Sequence, residues 1–131
     1  MDASSTFSYT IPDRLEALPR LRSALRKWLS DSGVDADTSE DIVLAAWEVC
    51  ANAIEHPVAR SDATTTIVAT RQALGVQVVV EDSGSWRDVR SPRPDRGLGL
   101  RLARAMVDCV SVVRDRPGTA VILWRSTRSA A

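Results

Sequence analysis

The sequence predicts an α+β fold, a two-layer sandwich with a mixed, mostly antiparallel sheet and helices on one face. Three observations carry this expectation. Segments rich in β-branched residues come in pairs joined by short turns: Thr64–Thr70 and Val76–Glu81 flank Ala73-Leu74-Gly75, and Val110–Arg114 and Thr119–Trp124 flank Arg116-Pro117-Gly118. Other segments place apolar residues at helical spacing. The resulting order, β-α-α-β-β-loop-α-β-β, groups strands into hairpins instead of alternating each with a crossover helix.

Each element has its own justification. Phe7, Tyr9 and Ile11 alternate with Ser8 and Thr10, a half-buried strand that Pro12 closes. Pro19 suits the first turn of a helix, where a missing N–H costs little. Leu21, Leu25, Trp28 and Leu29 continue that helix, and Gly33 ends it. Thr38 followed by Asp41 resembles a capping box, with Asp replacing Glu. Ile42, Ala45, Ala46, Val49, Ala53 and Ile54 then mark one face of a second helix, expected over Ser39–His56 and stopped by Pro57. Ser85–Arg96 has no apolar periodicity and holds Trp86, Pro92, Pro94 and several arginines. A loop of about a dozen residues in a small domain is functional or disordered as a rule. Gly97-Leu98-Gly99-Leu100 opens a third helix that Leu102, Ala103, Met106 and Val107 continue.

Composition narrows the function classes. The 131 residues suit one domain, 1–131, with an ordered core over about 7–125. Formal net charge is zero, which gives no electrostatic case for nucleic acid or an anionic membrane. Two cysteines do not make a disulfide framework, and both Cys50 and Cys109 read as inert core thiols of a reducing compartment. Met1–Thr10 lacks the pattern of a secretory leader, and no apolar run approaches a membrane span. A cytoplasmic protein is expected.

Three groups of residues carry chemistry. Glu48, Asn52 and His56 follow at intervals of four along one ridge of the second helix. Carboxylate and amide oxygens are hard ligands suited to Mg²⁺, and a carboxylate beside a metal–phosphate group can act as a general base. A solvated helix face would carry the same residues, and His56 would also cap the helix end. Asp82-Ser83-Gly84 ends a strand, where a carboxylate can accept from an amine; it is also ordinary turn chemistry. Gly97 and Gly99 open a helix whose N–H groups can meet a phosphate, a weak signal when taken alone.

In this order, with Gly118-Thr119 on the last strand, the boxes resemble those of the Bergerat-fold (GHKL) ATPases, the superfamily of gyrase, Hsp90, histidine kinases and MutL. The Asn-Ala-Ile-Glu-His run and the Arg-Gly-Leu-Gly-Leu segment are most similar to the bacterial anti-sigma-factor serine/threonine kinases, across Phe7 to Arg125. The resemblance implies ATP and Mg²⁺ as cofactors, with Asn52 on the metal and Glu48 as the base toward an incoming serine. It implies Asp82 on the adenine amine, Gly84 and Thr119 beside the base, and Gly97, Leu98, Gly99 and Leu100 around the phosphates. Ser85–Arg96 would be the nucleotide lid, with Arg96 reaching a phosphate, and His56 would join the nucleotide-binding set as cap or second-layer residue. The implied partners are a sigma factor and a small anti-sigma-factor antagonist, with pairing of two copies through the first helix or strand. One departure stands out: the family's Asp-x-Gly-x-Gly continues here as Asp82-Ser83-Gly84-Ser85-Trp86. That substitution favours an alternative, a regulatory module that sequesters a partner without transferring phosphate.

Overall fold

The computed structural model describes residues 5–54, 64–82, 97–115 and 118–127. Five strands form one sheet in the order β1-β2-β3-β5-β4, and every pairing is antiparallel. They are β1 (Ser5–Pro12), β2 (Thr64–Gln72), β3 (Gly75–Asp82), β4 (Cys109–Asp115) and β5 (Gly118–Ser126). Three helices, α1 (Leu18–Asp31), α2 (Ala36–Ile54) and α3 (Gly97–Met106), complete the α+β arrangement, and a 3-10 turn (Leu15–Ala17) leads into α1.

Strand alternation decides which face the helices cover. Ile67 and Ala69 on β2, Val76, Val78 and Val80 on β3, and Val121 and Leu123 on β5 are buried, while the residues between them are half-exposed. Registered neighbours build continuous rows: Tyr9, Ile67, Val80, Val121 and Val112 lie side by side across all five strands. Helix α1 lays Leu18, Leu21, Leu25 and Leu29 into the same core. Each such side chain, fully buried, stabilises the fold by about 1.5–3 kcal/mol.

Local chemistry sets the helix ends. Gly33, at φ +83°, takes the left-handed position after α1. Its N–H reaches the Ser30 carbonyl at 3.1 Å, and the Val34 N–H reaches Leu29 at 3.1 Å. That is the Schellman arrangement, with buried Val34 against buried Leu29. Helix α2 begins at Ala36, earlier than the expected Ser39, because Asp35 is the cap: its Oδ2 accepts the Thr38 N–H at 3.1 Å. Thr38 is buried within the first turn, so the Thr38–Asp41 spacing is not a capping box.

Two strand-end residues also differ from expectation. Gly75 belongs to β3, paired with Ser126, instead of to the turn. A Cβ there would stand 2.5 Å from the Arg125 carbonyl and 2.7 Å from the Trp124 ring. Cys109 is exposed and so is not a core thiol; period-two alternation puts it with Ser111 and Val113 on the outer face of the edge strand β4. Among the described residues, no helix is long and apolar enough to cross a membrane.

Candidate functional site

At one end of the sheet the apolar rows give way to a polar one. Thr65 pairs with Asp82, and Glu81 pairs with Ala120, so the next residues along β3 and β5, Asp82 and Thr119, share that end. All three belong to the covered face, with exposures of 0% for Thr65, 7% for Asp82 and 5% for Thr119. Buried polar side chains are costly unless hydrogen-bonded, so a row of them in a core marks a place built for a polar purpose.

Two helices lead to the same end. Arg125, near the C-terminal end of β5, donates through Nη1 to Asp41 Oδ2 at 2.7 Å and to the Met106 carbonyl. It therefore ties the early part of α2 and the last residue of α3 to one point. From there, β5 runs back about 20 Å to Thr119. Helix α2 runs about 16 Å forward to Asn52, and α3 runs about 13 Å back to Gly97. Helices α2 and α3 pack against each other. The Arg125 anchor makes them antiparallel, with the C-terminal half of α2 beside the N-terminus of α3.

Each expected residue can now be located. Glu48 and Asn52 lie on α2, one turn apart and both half-buried, with Val49, Cys50 and Ala53 of the same helix in the core. The neighbouring Trp47 ring lies under the Arg22 guanidinium, 4.4 Å from its centroid. Gly97, Leu98 and Gly99 form the first turn of α3, which carries no acidic residue, and Leu100 packs half-buried against the core. The structure thus brings Asp82 and Thr119 into one row and directs Glu48, Asn52 and the start of α3 toward it. His56, Gly84, Arg96 and the Ser85–Arg96 segment with Trp86 lie outside the described residues.

Sequence reasoning missed Asp13 and Thr65. Thr65 Oγ1 donates to Asp13 Oδ1 at 2.8 Å, while Asp13 Oδ2 is buried with no hydrogen-bond partner among the described residues. Burial raises the Asp13 pKa, the Thr65 hydrogen bond offsets part of this, and the nearby Asp82 charge raises it again. The fully buried Cys50 thiol is pushed up to about 12, chiefly by burial and further by Asp13. Cys50 thereby places the later turns of α2 close to Asp13. Asp13 follows Pro12 in what looks like plain loop sequence; only the Ile11–Thr65 register brings it to the site.

The donor set fits a nucleotide. A buried strand-end carboxylate suits an exocyclic amine, a buried hydroxyl suits a ring nitrogen or a water, and a glycine-bearing helix start suits phosphate. An asparagine amide oxygen, such as that of Asn52, is of the hard type that Mg²⁺ takes. Among the described residues no group of three His, Cys, Asp or Glu side chains could hold a metal. Mg²⁺ needs no such cage, since it binds one or two protein oxygens and completes its shell with phosphates and water.

Comparison with known proteins bears on the family and the fold. Residues 11–125 match the family described as Histidine kinase-like ATPase domain. A serine-protein kinase RsbW of Bacillus mycoides is 23% identical over 137 aligned residues, spanning 93% of this chain and 86% of that one. The RsbU and RsbW domains of a Mycobacterium tuberculosis protein superpose with a TM-score of 0.71 at 28% identity. That match covers 96% of this chain and 34% of the mycobacterial one, so the chain spans about a third of that relative's length. The histidine kinase domain of a blue-light activated kinase from Erythrobacter litoralis shares the fold, with a TM-score of 0.54 at 22% identity over 97% of this chain and 65% of that one. The chain belongs to the histidine kinase-like ATPase domain family, with RsbW-type serine-protein kinases among its relatives.

Proposed function

We propose that the protein is an ATP- and Mg²⁺-dependent serine/threonine kinase acting as a cytoplasmic anti-sigma factor. It phosphorylates a small antagonist protein and separately sequesters a sigma factor. The observation that carries this reading is the buried polar row Thr65–Asp82–Thr119, at the sheet end that the later part of α2 and the start of α3 face. The kinship with RsbW-type serine-protein kinases supplies the reaction class.

The residues divide the work by chemistry. Asp82 accepts from the adenine amine, and Thr119 hydrogen-bonds the base or its bridging water. Backbone N–H groups at Gly97–Leu100 receive the phosphates. Asn52 contributes a metal ligand; Mg²⁺, when bound, neutralises phosphate charge. Glu48 takes the proton as the serine oxygen bonds to the γ-phosphorus and ADP leaves. Phosphoryl transfer asks chiefly for positioning and charge neutralisation, which this set supplies.

Calorimetry with ATP, with and without Mg²⁺, tests the nucleotide site; absence of binding under both conditions overturns the reading. Incubation with labelled ATP and a candidate antagonist tests transfer. Trp86, where the family pattern has glycine, favours a second reading in which the protein binds its partner without transferring phosphate. Nucleotide and partner binding with no labelled product would establish that second reading.

A further inference from the structure

We infer that the outer face of the sheet is a contact between two copies of this chain, related by a two-fold axis that runs across the strands through Val79.

The described helices leave that face uncovered. The core beneath α1, α2 and α3 takes its strand residues from the other face, and Val68, Val79, Ile122 and Trp124 are not among them. Their positions alternate with the buried ones, so they point away from the helices, half-exposed. The face is also nearly free of charge. Charged residues make up 26% of the chain, yet among the described side chains on this face only Glu81 carries charge. Depletion of charge around an apolar centre is the compositional mark of an interface, more than bulk hydrophobicity is.

Strand register orders the face into rows. Val68, Val79 and Ile122 are direct neighbours on β2, β3 and β5, and β3 is the middle strand of the five. They form an apolar row across the centre. On one side of that row Gln77 stands beside Trp124, and on the other Glu81 stands beside Ala120.

This order complements itself. A two-fold axis along the central row lays each strand end for end over its own copy. Val68, Val79 and Ile122 then meet their equivalents. Trp124 lies over Ala120, large on small. Gln77 lies over Glu81, an amide donor against a carboxylate acceptor. An axis along β3 would instead set Glu81 against Glu81, and like charges in an interface repel.

The face is large enough. Its strands are seven to nine residues long and stand about 4.8 Å apart. The area is about 24 by 26 Å, or about 1,200 Å² for two copies. That is the lower end of the range for specific interfaces, so a dissociation constant of about 1–100 µM is expected. The contact leaves the covered face, with the proposed nucleotide site, free in both copies. It is not the pairing through the first helix or strand that the resemblance implies.

Sedimentation of the full chain over a concentration series provides the test. Wild type should pass from monomer to dimer across the micromolar range. Val79→Lys sets a charge on the axis twice and should weaken dimerisation by at least about a hundredfold. It should melt like dilute wild type, since Val79 is not part of the core. Leu102→Lys, at an exposed position of α3, should leave dimerisation within about twofold. Ala120→Trp sets ring against ring with Trp124 and should also abolish the dimer. Where Val79→Lys does not fold, Val68→Thr with Val79→Thr keeps β-branched strand residues and should weaken dimerisation about tenfold. A monomer at every concentration up to about 1 mM would overturn the inference and leave the face to a different partner. A dimer that survives Val79→Lys would overturn it too, and move the contact to another surface such as the first helix or strand. A dimer that survives Ala120→Trp would overturn the axis.

Discussion

Arg125 and Asp41 meet at 2.7 Å between the last strand and the early part of α2, and the same guanidinium also holds the carbonyl that ends α3. Both helices that bear the candidate site are thus referenced to one side chain far from the site. The Arg125 side chain keeps 22% of its exposure, so its charge is only partly screened. Arg125→Met should cost about 1.5–3 kcal/mol in urea unfolding, the range for hydrogen bonds to charged groups. Asp41→Asn should cost less, because the carbonyl bond survives. A change below about 0.5 kcal/mol for Arg125→Met would show the tie to be cosmetic.

Thiol chemistry checks the sheet's faces. Cys109 is exposed on the outer face of an edge strand, while Cys50 is fully buried with its pKa pushed up to about 12. The thiolate is the reactive form, so burial protects Cys50 twice, by access and by protonation. Under native conditions an aromatic disulfide reagent should label one thiol per chain, and it should label the second only in denaturant. Fast labelling of both would contradict the burial of the α2 face.

These two residues also show what could be read in advance. Alternation placed Phe7, Tyr9 and Ile11 on one face of β1, and spacing placed Val49 and Ala53 in the core, because period alone determines which side is covered. Cys109 was misjudged from its residue type, since cysteine is usually buried, whereas alternation with Ser111 and Val113 sets it on the outer face of β4. Gly75 looked like a turn residue because nothing local announces that the Trp124 ring crosses it. The start of α2 was misplaced for a simpler reason: Asp35, Thr38 and Ser39 are all good caps, and only the Asp35–Thr38 hydrogen bond shows which one is used. Of the proposed site, Glu48, Asn52, Asp82 and Thr119 were singled out by residue type and order, and the register sets Asp82 and Thr119 at one end of the sheet. Asp13 and Thr65 were not, since their meeting is a matter of strand register.

Stability should depend on pH through Asp13. Its folded pKa is raised above the ordinary aspartate value of 3.8, first by burial and then by Asp82, against the Thr65 hydrogen bond. The folded state therefore holds a proton that the unfolded chain has already lost. The contribution is fully present below about pH 3.8 and is lost as pH rises through the higher folded value. Asp13→Asn keeps the Thr65 acceptor and never ionises. The melting temperature of Asp13→Asn minus that of wild type should thus grow from acid toward neutral pH and then level off. A difference that stays flat with pH would mean that Asp13 titrates as it does in the unfolded chain.

Glu48 and Asn52 should separate transfer from binding. They stand one turn apart on α2, both half-buried, so neither supports the core as Val49 or Ala53 does. Glu48→Gln keeps the shape and removes the base. It should change stability by less than about 0.5 kcal/mol and leave ATP affinity within about twofold. Phosphate transfer to the antagonist should fall by about 10²- to 10⁴-fold, the usual contribution of a general base. Asn52→Ala should do the reverse in the binding assay, removing the Mg²⁺-dependent part of ATP affinity while leaving the metal-free part. If the two variants behave alike, with affinity and transfer falling together, Glu48 is a ligand and not a base. Transfer would then have to proceed by positioning alone, with the serine proton going to phosphate or water.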